Sequence, residues 1–273
     1  MSEPAIIRGM SDADYHADPA LSSTGAKRLL DCPARFRWDT DHPVSKDAYE
    51  VGHAVHTLVL GAGAPIVNVG PSLTAKAAKD KRDQAIADGH TWLRTSDYDK
   101  AHAMRDAVLG HPLAAAALTG GEAEVSVWAT HDPTGVRMRA RPDYLRPGLV
   151  VDLKTTARTA DPAWFGQVAG SLGYHISAAY YLRVLELADL ADDETRFLHV
   201  VVEKKAPHLV SVVELDADSL AAGWEQCEVA LSRFADCTRS GVWPGYPPDV
   251  AVPVRVPPWH LNTPYYDDEG DQL

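Results

Sequence analysis

The chain is short of positive charge, cysteine and long apolar runs, and each shortage excludes something. Lys and Arg number 26 against 38 Asp and Glu in 273 residues, a formal net charge of −12. A surface that is basic throughout, the usual footprint of a nucleic-acid-binding domain, is excluded. Any phosphate binding must be confined to a local groove. The three cysteines, Cys32, Cys227 and Cys237, are too few and too scattered for a disulfide framework or a CxxC zinc site. No apolar run approaches about 18 residues, so no membrane-spanning helix is expected. The opening MSEPAIIRGMSDADYH is acidic and lacks a charged-then-apolar leader, so a cytoplasmic protein is expected. No GxxxxGK[ST] loop occurs, which excludes a P-loop motor, and no use of ATP is expected.

What is present suits a globular enzyme. The hydrophobic share of 45% is normal for a chain that buries a substantial core. The basic residues are clustered: Lys27, Arg28, Arg35 and Arg37, then Lys76, Lys79, Lys81 and Arg82, then Arg137, Arg139 and Arg141. Residues 9–21 read as irregular lead-in. Ser22 and Ser23 offer an N-cap to a helix over 25–31 that stops at Cys32-Pro33, with Phe36 and Trp38 packing beneath it. A helix over 46–61 places Gly52, His53 and His56 on one face. Further helices are expected over 72–88, 96–109 and 112–118. The pattern then alternates as a half-buried strand over 122–130.

Two strand-like runs follow, 136–144 and 149–155, joined at Arg146-Pro147-Gly148, which is turn chemistry. With Pro147 and Gly148 at the turn centre, Asp143 faces Asp152. Directly opposed side chains have Cβ atoms roughly 4.5–5.5 Å apart, and like charges there destabilise the pair. Two carboxylates so placed call for a cation between them, or for ordinary ion pairs with Arg141 and Lys154. Asp152 lies within the apolar run Leu149-Val150-Val151, and a buried carboxylate needs a partner or a metal. Lys154 shares its face, while Val151 and Leu153 point into a core. Two carboxylates and a carbonyl suit magnesium, and manganese better tolerates an imidazole such as that of His56. Lys154 there could position or deprotonate a water, or stabilise charge on a phosphate.

Helices over 162–170 and 174–187, a strand pair over 196–203 and 209–215, and a helix over 218–240 complete the pattern. The expected fold is one α/β domain over 1–273, with a mixed central sheet flanked by helices. A mostly helical part (1–120) carries His56, the catalytic core spans 121–240, and a Pro-rich acidic tail covers 241–273.

Five short elements, in order, resemble the PD-(D/E)XK nuclease superfamily, in its RecB-like branch and closest to RecE-type exonuclease VIII of prophages. They are Leu21-Ser22-Ser23 with Cys32-Pro33-Ala34-Arg35-Phe36, Gly52-x-x-x-His56, Arg141-Pro142-Asp143, Asp152-Leu153-Lys154-Thr155-Thr156, and the Tyr174–Tyr181 run. The resemblance implies a restriction-endonuclease-like core. It implies metal ligation by His56, Asp143, Asp152 and the Leu153 carbonyl, with Lys154 as the catalytic lysine and Glu124 as a secondary acid. Tyr181, Ser177 and Tyr174 would meet DNA, with Ser177 standing where the family usually has Gln. Arg141, Lys76 and Lys79 would add basic contacts. The implied activity is a magnesium-dependent exodeoxyribonuclease on linear duplex ends, resecting 5′ to 3′ in a bacterial or phage-infected cell. A ring-shaped homo-oligomer and a single-strand annealing partner are implied too. Some relatives hold an iron–sulfur cluster; with only three dispersed cysteines, none is expected here. An endonuclease, a single-strand nuclease or an inactive DNA-binding module on the same fold are the alternatives.

Overall fold

The computed structural model describes residues 3–42 and 51–261. In chain order its elements are β1 (Ala5–Ile7), α1 (Asp12–Ala17), β2 (Leu21–Ser22), α2 (Ser23–Asp31), α3 (Pro33–Asp41), α4 (Val51–Leu60), β3 (Ile66–Asn68), α5 (Lys76–Ala87), β4 (Thr91–Leu93), α6 (Thr95–Gly110) and α7 (Pro112–Ala117). The second half holds β5 (Glu122–Ala123), β6 (Ser126–His131), β7 (Val136–Ala140), β8 (Tyr144–Arg146), β9 (Leu149–Thr156), α8 (Pro162–Leu172), α9 (Tyr174–Glu186), β10 (Arg196–Glu203), β11 (Val210–Glu214), α10 (Ala217–Ser240) and α11 (Pro258–Leu261).

The strands form a five-stranded sheet in the order β11-β10-β9-β8-β5, a four-stranded sheet β1-β6-β7-β2, and a small pair β3-β4. Each of the two larger sheets is mixed: β9 and β10 run parallel, as do β2 and β7, and their other pairs are antiparallel. The α/β class with mixed sheets flanked by helices is therefore present, although divided over more than one sheet. Strand β9 shows how the layers are built. Val151 and Leu153 enter a core with Ala54, Val55, Met104 and Val200, under α4 and α6. Val150 points the other way, into a core with Tyr180, Leu185, Cys227 and Leu231 from α9 and α10. Period-two alternation puts Asp152 and Lys154 on the Val150 side.

Several expectations need correction. The run 136–144 is two strands in two sheets, β7 and β8, broken at Arg141-Pro142-Asp143; Pro142 cannot donate to a ladder. The run 122–130 also divides, because Glu124 adopts φ 55° between β5 and β6. Strand β6 is buried on both faces, with Ser126, Val127, Trp128 and Ala129 all inaccessible, because β1 covers its edge and helices its face. The lead-in is not irregular: it holds α1 and β2, and β2 pairs with β7. Trp38 is 64% exposed on α3, whereas Phe36 packs against Phe234 and Trp243. Residues 46–50 of the expected helix lie outside the described residues, and so do 262–273 of the tail. The remaining helix and strand positions agree to within a few residues.

Candidate active site

The hairpin register is the one the turn requires. Tyr144 pairs with Val151, Leu145 with Val150 and Arg146 with Leu149, so the ladder stops one residue short of Asp143 and Asp152 in the register that would oppose them. The Leu153 amide donates to Asp143 Oδ2 at 2.6 Å, which ties the carboxylate to the neighbouring strand. Burial pushes the Asp143 carboxyl above its usual range; His56 opposes that and Asp152 adds to it. Asp152 goes the other way. Burial is the largest single influence and would raise it, but its neighbours together, the Lys154 ammonium 2.6 Å from Asp152 Oδ2 first among them, hold it down. Opposite shifts on two adjacent carboxylates are a frequent property of functional sites.

His56 arrives from α4, its Nδ1 lying 3.5 Å from Asp143 Oδ2. The helix comes this close because Gly52 carries no side chain where it meets Thr155 of β9. His56, Asp143, Asp152 and Lys154 are thus drawn into one cluster from three elements. They are arranged as two contacts, the His56 imidazole against Asp143 and the Lys154–Asp152 ion pair. Among the described residues no three His, Cys, Asp or Glu side chains close into a metal cage, so the expected ligand set is assembled but not converged. Its chemistry fits a hard divalent cation all the same. Asp152 Oδ2 is buried with the Lys154 ammonium 2.6 Å away, and Asp143 Oδ2 accepts from the Leu153 amide. Two adjacent, largely buried carboxylates supply the hard oxygen ligands that a divalent cation takes. The side chain of Leu153 is fully buried, and its amide is the group bound to Asp143.

The other expected residues divide. Glu124 sits beside the cluster: its amide donates to the Asp143 carbonyl at 3.2 Å, and burial, reinforced by Asp143, pushes its carboxyl up to about 7. Tyr174 lies against Lys154, whose Nζ is 5.1 Å from the ring centroid. Tyr181 is half-buried, bonded to Ser23, and its phenol is held well above 10 by burial first, with Asp152 and Asp143 contributing. Ser177 Oγ turns back to the Gly173 carbonyl at 3.4 Å.

Arg141 does not face outward. The residue is 7% exposed, and its guanidinium donates to Ser126 Oγ, Asp12 Oδ1 and the Met10 carbonyl and stacks 4.2 Å from the Tyr15 ring. It anchors the N-terminal segment to β7 and is not presented as a DNA contact. Lys76 and Lys79 are exposed on α5, which packs on β4, and the structure does not bring them into the cluster.

Two residues near the cluster were not among the expected site residues, although Lys27 was counted in a basic cluster. His199 on β10 stands directly beside Asp152 in the parallel ladder and is 1% exposed. Its ring lies among Phe165, Phe197 and Tyr174, with centroids 5.1, 5.0 and 5.9 Å away, and its Nδ1 has no partner. Burial drives its pKa down to about 4, so the imidazole is neutral. Only the β9–β10 pairing reveals this neighbour, and parallel pairing leaves no local signal in sequence. Lys27 on α2 is the second; its ammonium feels both Lys154 and Asp152. A cleft of about 220 Å³ opens beside the cluster, lined by Lys154, Thr155, Thr159, Phe165, Leu172 and Tyr174 among others.

A family model described as a PDDEXK-like domain of unknown function matches residues 22–251, which contain every residue of this cluster. Among solved structures, a protein from Eubacterium rectale named "Putative exonuclease" superposes with a TM-score of 0.62 at 13% identity, covering 94% of this chain and 99% of its own. A second, SSO0001, reaches a TM-score of only 0.28 at 12% identity, over 76% of this chain and 84% of its own. Among curated proteins, none matches the chain in sequence.

Proposed function

The chain belongs to the family of PDDEXK-like domains, and on that premise we propose that it is a metal-dependent nuclease that hydrolyses phosphodiester bonds of DNA. The observation that carries this reading is the gathering of Asp143, Asp152 and Lys154 at one hairpin, with His56 supplied by α4. Asp143, Asp152, His56 and the Leu153 carbonyl would hold the metal, which is magnesium in this reading, with manganese able to replace it. Bound there, a divalent cation lowers the pKa of water and neutralises phosphate charge.

The chain's own residues do the rest. Lys154 is kept as an ammonium by Asp152, so it serves as a fixed cation toward a phosphate oxygen or a positioned water and not as a base. Tyr174 packs on that side chain and limits its rotamers. In hydrolysis the water oxygen bonds to phosphorus, one bridging P–O bond breaks, and the departing oxygen takes up the proton. Attack on linear duplex ends with 5′-to-3′ polarity, a ring-shaped oligomer and an annealing partner are supported by the resemblance of the five sequence elements alone.

The test is digestion of end-labelled linear duplex, with and without magnesium, by the natural chain, Asp152→Ala and Lys154→Ala. Both variants should lose at least about a hundredfold in rate. Equal activity in all three proteins would dismiss the assignment. A circular duplex digested as readily as a linear one would convert the exonuclease into an endonuclease.

A further inference from the structure

Lys27 reaches from α2 to the junction of α8 and α9. Its Nζ donates to the Leu172 carbonyl at 3.2 Å. Gly173, at the junction, adopts φ 64°, and a Cβ there would stand 2.7 Å from Lys27 Cδ. The glycine therefore both makes the turn and leaves a channel for the lysine stem. The residues on either side of it, Leu172 and Tyr174, line the same cleft as Lys154. Lys27 does not itself line the cleft, but its ammonium is held on the backbone of Leu172, which does.

The electrostatics of the two lysines are unequal. Asp152 lies 2.6 Å from the Lys154 ammonium, whereas Lys27 donates to a neutral carbonyl. Burial disfavours the Lys27 charge, the neighbouring Lys154 disfavours it further, and Asp152 only offsets this. An ammonium has three donors, and one carbonyl does not exhaust them. A half-buried ammonium held on a neutral carbonyl, with donors to spare, is well placed for an incoming anion.

We infer that Lys27 is a second phosphate-binding residue, holding a backbone phosphate of the nucleic-acid substrate at the cleft mouth while Lys154 acts at the reacting phosphate. This deepens the nuclease reading and rests on it. The polyanion would supply the negative charge that both ammonium groups share.

The experiment compares the natural chain with Lys27→Met and Lys27→Arg. It uses steady-state hydrolysis of end-labelled duplex in magnesium, direct binding of the same duplex, and thermal melting. Lys27→Met should raise KM about tenfold with a smaller change in kcat, and should reduce the salt slope of binding by about one. Lys27→Arg should recover most of the binding, since it keeps the charge. If Lys27→Met lowers only the melting temperature and kcat, with KM and salt slope unmoved, Lys27 is a strut for the α8–α9 junction and the inference falls. Unchanged binding in a well-folded Lys27→Met protein would also overturn it. If the natural chain binds duplex but cleaves nothing, the nuclease reading fails alone, and the binding comparison still decides the role of Lys27.

Discussion

A Cβ placed on Gly52 of α4 would stand 3.2 Å from Thr155 Oγ1 of β9, closer than most such contacts. That gap sets the distance between the helix that carries His56 and the strand that carries Asp152 and Lys154. Gly52→Ala should push α4 outward and draw His56 away from Asp143. Overpacking of this kind costs about 1–3 kcal/mol, partly offset because alanine is the better helix former. We expect a folded protein with a small loss in melting temperature and at least about a tenfold loss in hydrolysis, since small displacements are costly in catalytic geometry. Adding Thr155→Ala should return part of that loss. Additive effects in the double variant would show that the two positions are not coupled.

The same contact shows what the sequence made legible. Helical spacing already placed Gly52 and His56 on one face, and the Pro147-Gly148 turn set the β8–β9 register that brings Asp143 to the edge of β9. Both are local signals, carried by turn chemistry and helical spacing. His199 and Lys27 were not legible as site residues, because they reach the cluster through pairings distant in sequence: the parallel β9–β10 ladder, and α2 lying over the α8–α9 junction. Arg141 misled for a related reason. It adjoins Asp143 in sequence, but β7 and β8 belong to different sheets, so their side chains serve different neighbours. The division at Pro142 was visible as a proline, yet the alternation on either side of it disguised the break.

Glu124 offers a stability test with a definite sign. Its folded pKa is raised from 4.5 to about 7, so the folded state binds the extra proton between those values. Stability therefore falls as pH rises through that window, and the cost is complete above about pH 7. Glu124→Gln removes it. In metal-free protein the variant should be more stable than the natural chain at pH 8, by on the order of 2 kcal/mol after solvent screening. The advantage should vanish below about pH 4.5. Denaturant melts at the two pH values check this, and a gain that does not depend on pH would contradict it.

His199 titrates in the opposite sense. Its folded pKa is lowered from 6.5 to about 4, so the unfolded chain takes up the proton first. Stability is fully retained above about pH 6.5 and is lost as pH falls toward 4, by about 3 kcal/mol from this residue. His199→Leu keeps an apolar body among Phe165, Phe197 and Tyr174 and cannot be protonated. The difference in unfolding free energy between variant and natural chain should therefore shift in favour of the variant as pH drops from 7 to 4. Parallel curves over that range would mean that His199 is paired in the folded protein.

Arg141 should matter for stability and not for affinity. Its guanidinium joins Ser126 Oγ on β6 to Asp12 Oδ1 and the Met10 carbonyl of the N-terminal segment, over the face of Tyr15. Arg141→Leu leaves those acceptors without their donor, and hydrogen bonds to a charged group of this kind carry about 3 kcal/mol together. The N-terminal segment should loosen first at Met10–Asp12, the stretch Arg141 holds, so proteolysis should begin there. A phosphate-contacting arginine would instead leave the melting temperature unchanged and reduce the salt slope of duplex binding by about one. We expect the reverse pattern: a large drop in melting temperature, with an unaltered salt slope measured well below it.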